Sequence, residues 1–568
     1  MIGVIVKESE KKIVEEFFEL FKTPWEIYKD NISYNVILST QENIEIEGIQ
    51  CNHLIIYNSK IYIFDSKYNL HPYNEKQNTI LKYNDKYLPV YGRILTFTST
   101  KNIFLSTDKN NEAVAVVIRK DTSNKTIIRI GYDLFWEINF LLTSGQPVDC
   151  SHIPAVDLHI SLLRDLILSC GVPLVEIPPV PAGYAFTVCL THDVDFIDIR
   201  SHKFDHSVIG FLYRVVFLRY LYGLNFRISF ARFLKNWKAL LSLPGVYLGV
   251  FRDFWFDIDR YMEIEKDLCS TFFFIPYKNQ PGEPFGNKKS RLRAARYDIN
   301  NYKNVIVSLL EKGHEIGLHG IDAWCNTEKG INELKVIHDI ANIVVVGVRM
   351  HWLYFSEDSP KALEDAGISY DSTRGYNEAI GFLCGTTQVF RFLNSLNLFE
   401  LPLNVMDTAL FYSKRMKISE PDALCLCRNL INEMQTYGGV LTINWHTRSL
   451  NPERNWDDFY IELINILKAE NVWFASAKQA VNWFKKRRSV HFDDVRVSND
   501  KITIKVSSKN LNDLPHVLLR VYHPKSDSLD DMKNLHFSEK QFIDIPWAGE
   551  PEIEHTFESK SSNKSLVS

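Results

Sequence analysis

The apolar residues of the first 180 positions fall into short runs separated by polar clusters. Strands are indicated by four runs rich in β-branched and aromatic residues, NVILS, HLIIY, KIYIF and AVAVVIR. An amphipathic helix is indicated by DLHISLLRDLILSCG, which Gly171 closes. We find no chemical motif here and predict an accessory α/β domain over residues 1–182, without an assigned role.

A proline-rich stretch, VEIPPVPAGYA, separates this region from a second pattern. Prolines remove backbone donors and favour extended linkers, so we place a boundary near residue 182. From residue 183 to 488 apolar strands alternate with amphipathic helices, which is typical of parallel strands joined by crossover helices. The predicted strands are FTVCL, STFFFI, HEIGLH, NIVVVGVRM, GISYD, LFELPL and GGVLTINWH, and the predicted helices are DIDRYMEIEKDL, INNYKNVIVSLLEKG, NELKVIHDIANI and SPKALEDAG. In such folds the catalytic residues gather at the carboxyl ends of the strands.

After VNWFKKRR the pattern changes to alternation at period two without intervening helices. This alternation occurs in FDDVRVS, KITIKVS, HVLLRVYH and QFIDIP. We therefore predict a small β-sandwich over residues 489–548. The polar residues 549–568 are predicted to form a disordered tail.

Residues 201–240 combine apolar side chains with an excess of basic ones. Against a single acid, Asp205, they hold Lys203, Arg214, Arg219, Arg227, Arg232, Lys235 and Lys238. Two interpretations of this basic amphipathic insertion, placed at 201–250, stay open. Its helices either pack on the strand–helix domain with solvated arginines, or contact an anionic membrane surface.

Composition narrows the class of protein. The 568 residues are 45% hydrophobic and 24% charged, an ordinary globular balance. A net charge of -4 argues against nucleic acid as the main partner, because nucleic-acid binders usually carry a basic excess. The nine cysteines include no CxxC pair and indicate reduced thiols. No signal peptide and no window of about 18 uninterrupted apolar residues is apparent, so we expect a cytoplasmic location, with membrane association as an alternative.

Two aspartates lie at the end of the first strand of the second domain, within Thr191–Asp195, THDVD. Carboxylates at i and i+2 point to the same side of a strand end, so both can face one pocket. Two negative charges so close together raise each other's proton affinity unless a cation lies between them. A metal ion resolves the conflict, because one carboxylate binds it and the other stays free as a base. An Asx-type turn would explain one aspartate more easily than two.

Three further strand ends carry polar residues. His319 ends HEIGLH and Asp322 follows it; histidine and carboxylate suit zinc and similar divalent ions, although a lone histidine is more often structural. Arg349 and His351 share one face after NIVVVGV, where an arginine can hold a catalytic carboxylate ionised. His446, at the end of LTINWH, suits proton donation to a leaving amine.

These motifs follow one another as THDVD, STFFF, GHEIGLHG, VRMHW, YDST, ELPLNVMD and TINWH. In order and spacing, more than in close identity, they resemble the polysaccharide deacetylase family (carbohydrate esterase family four, nodulation-type deacetylase domain) over about residues 185–486. The resemblance implies a distorted, often seven-stranded (β/α) barrel and one divalent metal ion, for which we predict zinc. It also implies hydrolysis of acetamido groups on sugars, which are carbon–nitrogen bonds other than peptide bonds.

The resemblance also implies roles for individual residues. Asp193 corresponds to the family's catalytic base and Asp195 to its metal-binding aspartate. His319 matches the first metal histidine, and Arg349 matches the arginine that steadies the base. His446 matches the general-acid histidine.

Two positions depart from the family. Its second metal histidine usually lies four residues after the first, where this chain has Ala323, and its usual proline two residues after the arginine is replaced by His351. We prefer His351 as the third ligand, with Asp322 as the rival and His192 as a weaker choice. Alternatively, the site has lost its metal and become a binding module.

The family further implies an acidic partner for the general-acid histidine, and Asp407, in PLNVMDTAL, is the candidate. We predict a cell-surface polysaccharide biosynthesis enzyme that removes N-acetyl groups from an amino sugar of a polysaccharide or of its lipid- or nucleotide-linked precursor. One alternative is a hydrolase of a non-sugar amide. Another is a non-catalytic carbohydrate-binding module in which Trp324, Trp352 and Trp445 stack on sugar faces.

Overall fold

The computed structural model describes residues 1–42, 45–46, 48–68, 70–83, 85–98, 104–118, 125–203, 205–221, 230–286, 291–498, 501–509, 512–523 and 542–556. The strands are β1 (Ile2–Ile5), β2 (Trp25–Ile27), β3 (Tyr34–Ser39), β4 (Cys51–Tyr57), β5 (Pro72–Tyr83), β6 (Lys86–Phe97), β7 (Leu105–Thr107), β8 (Ala115–Ile118), β9 (Thr126–Ile130), β10 (Leu174–Glu176), β11 (Phe186–Val194), β12 (Ser270–Phe274), β13 (Glu315–Gly320), β14 (Val348–Met350), β15 (Phe390–Arg391), β16 (Phe399–Glu400), β17 (Val405–Met406), β18 (Val440–Asn444), β19 (Val472–Phe474), β20 (Val490–Ser498), β21 (Lys501–Ser508), β22 (Val517–Tyr522), β23 (Phe542–Trp547) and β24 (Glu552–Thr556). The helices are α1 (Lys11–Phe21), α2 (Ile63–Lys67), α3 (Leu134–Thr143), α4 (Ala155–Ser169), α5 (His206–Leu221), α6 (Phe230–Tyr247), α7 (Ile258–Ile264), α8 (Lys303–Glu311), α9 (Thr327–Ala341), α10 (Ser359–Asp365), α11 (Asp407–Phe411), α12 (Glu420–Tyr437), α13 (Asp457–Ala469) and α14 (Ala477–Ser489).

The N-terminal region is built on a six-stranded sheet with the order β2-β1-β3-β4-β9-β8. Its pairs are parallel except at the edge, where β8 runs antiparallel to β9. The predicted helix forms as α4 and ends before Gly171, whose φ of +76° suits a residue without a side chain. The predicted strand KIYIF is wrong, because α2 begins within it. There the buried Asp65 accepts a hydrogen bond from the backbone N–H of Tyr62 and pairs with Arg129.

A curled parallel sheet in the middle of the chain positions the candidate site. Its order is β14-β13-β12-β11-β18-β17, and β19 also pairs with β11. Two isolated parallel bridges, Val348 with Asp371 and Asp371 with Glu400, extend the sheet beyond β14, so the predicted strand GISYD contributes a single bridging residue. Strands such as STFFF are buried on both faces, which explains their continuous apolar sequence. The predicted mixed α/β class is thus confirmed, and the strands predicted to form a distorted (β/α) barrel form a curled parallel sheet.

The C-terminal region contains two three-stranded antiparallel sheets, β20-β21-β24 and β10-β22-β23. Their apolar residues share one core with α14. One strand of the second sheet, β10, comes from a part of the chain far earlier in sequence. Within the stretch 549–568 that was predicted to be disordered, β24 forms a strand that pairs with β21. Residues 557–568 lie outside the described residues. The domain boundaries and the β-sandwich stay predictions.

Helices α5 and α6 pack on one another through a small core that includes Val208, Phe211 and Trp255. Other positions on the two helices expose apolar side chains, which are Ile209, Tyr213 and Val216 on α5 and Leu234, Trp237 and Leu241 on α6, followed by Leu248, Val250 and Phe251. No described helix is both long and apolar enough to cross a membrane.

Some of the basic residues in this pair are engaged by acids. Lys235 lies 2.8 Å from Asp457, and Arg214 lies 3.8 Å from Glu453. The side chains of Arg219, Arg227 and Arg232 lie outside the described residues.

Candidate metal centre and active site

The carboxyl ends of neighbouring parallel strands bring the predicted residues together. In the register of the sheet, Thr191 of β11 pairs with Asn444 of β18, and His319 of β13 pairs with Arg349 of β14. Because the strands run in the same direction, the residues that follow them emerge at one edge. Asp193, Asp195, His319, Arg349, His351 and His446 all lie there.

Three of these side chains form a group that suits a metal ion. The candidate ligand atoms of Asp195, His319 and His351 all lie within 4.8 Å of one another. The Nε2 atoms of His319 and His351 are 3.2 and 3.4 Å from Oδ1 of Asp195. That oxygen is buried and has no hydrogen-bond partner among the described residues. One carboxylate and two imidazoles are a common three-ligand set for catalytic zinc, so the residues present fit a divalent ion.

Hydrogen bonding orients His319 for ligation. Its Nδ1 lies 2.8 Å from the carbonyl oxygen of Arg349, to which only a protonated Nδ1 can donate. A ring protonated at Nδ1 alone presents the lone pair of Nε2 toward Asp195. Burial lowers the pKa of His351 to about 3, which keeps this second imidazole neutral. Neutral imidazole is the form that binds metals.

The turn that presents His351 has an unusual backbone. Trp352 and Leu353 have φ values of +64° and +55°, a region that bulky residues rarely adopt. Arg293 holds the turn by donating to the carbonyl oxygen of His351 from Nη2 at 3.2 Å. Such strain persists only where surrounding contacts enforce it, as they do here.

The structure does not bring the other two ligand candidates to this group. Oδ1 of Asp322 accepts the backbone N–H of Glu283 at 2.7 Å, and its Oδ2 lies 3.0 Å from Nζ of Lys329. His192 points into the core, where Nδ1 lies 2.8 Å from the carbonyl oxygen of Trp445 and Nε2 lies 2.9 Å from Glu265.

Asp193 is held as an ionised carboxylate beside the group. Arg349 donates from Nη1 to Oδ1 at 3.1 Å, and Asn444 donates from Nδ2 to Oδ2 at 2.7 Å. Burial opposes ionisation, but the neighbouring His319, Arg349 and His446 outweigh it and hold the pKa of Asp193 below its ordinary value. The same balance holds the pKa of Asp195 far below its ordinary value: burial opposes ionisation, while His351, His319 and His446 favour it.

Sequence reasoning assigned no role to Asn444. It lies two residues before His446 in TINWH, and that i, i+2 spacing was an available signal.

His446 has the opposite acid–base character from His351. Nδ1 lies 2.7 Å from Oδ1 of Asp407, and its backbone N–H donates to Oδ2 of the same carboxylate at 2.7 Å. Burial lowers the pKa of His446, but the charge and hydrogen bond of Asp407 outweigh burial and raise it to about 9. Its Nε2 lies 3.8 Å from Asp195 and 4.0 Å from Asp193. A protonated imidazole therefore faces the candidate metal group.

A cleft of about 620 Å³ opens onto these residues and is lined by Asp195, His351 and His446. Trp352, 39% exposed, also lines it. Trp445 is fully buried between Phe459 and Tyr460, so it cannot stack on a sugar.

Comparison with known proteins gives matches among solved structures alone. No family model and no curated protein matches this chain. Similar structures include a putative polysaccharide deacetylase from Mycobacterium smegmatis, with 18% identity, a TM-score of 0.33 and coverage of 55% of this chain and 95% of that one. A probable polysaccharide deacetylase from Pseudomonas aeruginosa PAO1 has 13% identity, a TM-score of 0.35 and coverage of 57% and 98%. BA3943, a CE4 family pseudoenzyme from Bacillus anthracis, has 12% identity, a TM-score of 0.25 and coverage of 53% and 66%.

These TM-scores are all below 0.5, so it is the geometry of the site that supports a function. Putative polysaccharide deacetylases and a pseudoenzyme both occur among the similar structures. In motif order and among solved structures, the chain therefore resembles polysaccharide deacetylases of carbohydrate esterase family four.

Proposed function

We propose that this protein hydrolyses the N-acetyl group of an amino sugar at a divalent ion, zinc, held by Asp195, His319 and His351. The observation that carries the proposal is the convergence of this three-residue group with an ionised carboxylate, Asp193, and a protonated imidazole, His446, beside a cleft that Asp195, His351 and His446 line. A bound divalent ion supplies Lewis acidity toward an amide carbonyl and toward water.

Asp193 acts as the general base in this proposal. It takes a proton from the water that attacks the acetyl carbon, and its low pKa keeps it unprotonated near neutral pH. Arg349 and Asn444 fix the direction of the carboxylate through one hydrogen bond each.

His446 acts as the general acid. With a pKa of about 9 it carries a proton at neutral pH and gives that proton to the sugar nitrogen as the carbon–nitrogen bond breaks. Asp407 keeps the ring oriented and charged. The products are acetate and a free amino sugar.

The main alternative, a binding module without catalysis, would not need a base and an acid with opposite pKa shifts beside the ligand group. A hydrolase of a non-sugar amide would need the same residues, and only the product separates it from a deacetylase.

Elemental analysis of the purified protein, followed by acetate measurement on a panel of acetamido sugars, tests the proposal. We expect about one divalent ion per chain and acetate release from at least one sugar of the panel. A different carboxylate as product would indicate another amide substrate. Bound metal without any hydrolysis would favour the binding module.

We further propose that the α5–α6 pair rests on an anionic membrane surface beside the cleft. The proposal is supported by the exposed apolar residues of α5, spaced at i, i+4 and i+7, and by those of α6, spaced at i, i+3 and i+7. A single acid among many basic residues gives the segment the charge that attracts anionic lipid. Ser207 and Arg214 of α5 line the cleft, so a lipid-linked precursor would reach it from this surface.

Sedimentation with vesicles tests the membrane proposal. We expect binding to phosphatidylglycerol vesicles, release at high salt, and little binding to phosphatidylcholine. Leu241→Glu, at a position 75% exposed on α6, should weaken binding, and the matched Val344→Glu, at a position 85% exposed elsewhere, should not. Equal behaviour of the two variants, or indifference to lipid charge, would leave only packing as the role of these helices.

A further inference from the structure

The wall of the cleft is rich in arginine. Arg214, Arg293, Arg296, Arg415, Arg448 and Arg454 line it, against the carboxylates of Asp195 and Glu378. Arg293 is engaged by backbone carbonyls and Arg296 by Asn279. A neutral sugar is recognised through hydroxyl groups and needs no such excess of cations.

Two of these arginines flank one aromatic ring. The guanidinium carbons of Arg415 and Arg454 lie 5.6 and 5.1 Å from the ring centre of Tyr412. Their hydrogen bonds go to neutral groups, among them Oγ1 of Thr408 for Arg415 and Oγ of Ser449 for Arg454. Neither forms an ion pair with a carboxylate in the part of the chain that the structure describes. Both keep their positive charge available to the cleft.

Arg448 offers a buried donor without a partner. It is 5% exposed and stacks over Trp255 at 4.0 Å, while Nε donates to Glu453 at 3.0 Å. Its Nη2 has no hydrogen-bond partner among the described residues, an arrangement that costs free energy unless a ligand or water satisfies it. Glu453 also lies 3.8 Å from Arg214, so one carboxylate is shared by two guanidinium groups.

These cations are close enough to affect one another. Burial lowers the pKa of Arg448 to about 10, and the charges of Arg454 and Arg214 act in the same direction. Converging like charges are unfavourable until a counter-charge enters. Guanidinium groups match phosphate oxygens through paired hydrogen bonds. Several guanidinium groups suit the two negative charges of a phosphate or diphosphate better than the single charge of a carboxylate.

We propose that Arg415, Arg448 and Arg454 form an anion subsite that binds a phosphate or diphosphate attached to the substrate sugar. This inference rests on the proposed function, because it uses the same cleft and names the class of substrate within it. The substrate is then a phosphorylated acetamido sugar. Nucleoside diphosphate sugars and polyprenyl diphosphate sugars share this chemistry.

Calorimetry with glucose 1-phosphate and glucose tests the subsite apart from catalysis, because neither probe contains an acetamido group. The protein with its bound metal should bind glucose 1-phosphate at least about tenfold more tightly than glucose, since hydrogen bonds to charged groups are worth that factor or more. The difference should shrink as salt rises.

Arg454→Gln and Arg415→Gln should each reduce the preference for glucose 1-phosphate about tenfold or more. The control is Arg260→Gln, at an exposed arginine paired with Glu263, which should keep it. If a glutamine variant fails to fold, Arg454→Lys retains the charge, loses the paired geometry and should still reduce the preference. Ser449 also donates to the carboxylate of Asp407, so a role of Arg454 confined to this support would change turnover without changing the binding ratio. Equal binding of both probes by the unmodified protein, or an unchanged preference in both glutamine variants, would overturn the proposal.

A second set of probes identifies the source of the phosphate. Uridine diphosphate glucose and polyprenyl diphosphate glucose in detergent are compared with glucose 1-phosphate, and the tightest binder indicates the natural carrier. Acetate release from N-acetylglucosamine 1-phosphate and from neutral N-acetylglucosamine oligomers tests deacetylation by itself, with and without the phosphate. A preference for the phosphate without any acetate release would support the subsite and reject the proposed function. Acetate release without a preference for the phosphate would support the proposed function and reject the subsite.

Discussion

Two histidines that line one cleft differ in charge, and the carboxylate of Asp407 is the main cause. Burial, together with the nearby His319 and Arg293, lowers the pKa of His351 to about 3, and its Nδ1 has no hydrogen-bond partner among the described residues. His446 meets the same penalty, but the contact with Asp407 at 2.7 Å reverses it and raises the pKa to about 9. A neutral ring is a metal ligand and a charged ring is a proton donor. The environment of each ring, rather than the residue type, therefore assigns the two roles.

Removing the neutral ring should have the largest effect. His351→Ala deletes one of three candidate ligands, so metal affinity should fall at least about 100-fold, more than the effect of losing an outer-shell partner. Hydrolysis should fall with it. Elemental analysis after dialysis, with a melting curve to exclude unfolding, measures this. Full metal occupancy in the variant would show that His351 is not a metal ligand and belongs to the substrate pocket.

Asp193→Asn should separate catalysis from metal binding. Turnover should fall about 10²–10⁴-fold, because the general base is lost, while metal content stays at the level of the unmodified protein. Acetate release and elemental analysis on the same sample provide the two readouts. Loss of metal in Asp193→Asn together with retained catalysis in Asp195→Asn would show that the two aspartates have exchanged roles.

Asp407→Asn should make His446 resemble His351. Because the donor must be protonated, hydrolysis in the unmodified protein should persist as pH rises and decline as pH approaches about 9. Without the carboxylate the pKa of His446 falls, so the alkaline decline should move to lower pH. Profiles of kcat/KM against pH measure the shift. Identical pH profiles of the variant and the unmodified protein would show that Asp407 does not set the pKa of the proton donor.

The smallest effect on the metal centre is expected for Asp322→Ala. Its carboxylate is engaged by Lys329 and by the backbone N–H of Glu283, so metal affinity should change little. Stability should fall by about 1–3 kcal/mol, because a partly buried donor loses its acceptor. A loss of metal as large as that of His351→Ala would show that the segment rearranges to bring Asp322 to the ion.

The sequence predicted the residues whose positions depend on strand periodicity. Asp193, His319, Arg349 and His446 end apolar runs, so their side chains emerge at the edge where parallel strands meet. The direction of Asp322 could not be predicted, because it is set by Lys329 and Glu283 in two other segments.

Arg293 and the arginine subsite were missed for a related reason. They carry no local pattern, and their roles appear only when distant loops meet around the cleft. The curled sheet was predictable from alternating strands and helices, whereas the entry of β10 into a C-terminal sheet was not, because its partner lies far along the chain.

That pairing also affects how the chain is made. β10 hydrogen-bonds β22, whose residues are synthesised roughly 340 positions later, so at about 5–20 residues per second the edge of β10 stays uncovered for roughly 17–70 s on the ribosome. β11, the central strand of the parallel sheet, follows β10 after nine residues and emerges in the same interval. An exposed strand edge is a template for pairing with other chains. Messages truncated before residue 517 should therefore yield aggregates rather than a shortened but folded protein, and chaperones that cover strand edges should raise the yield of the full-length chain.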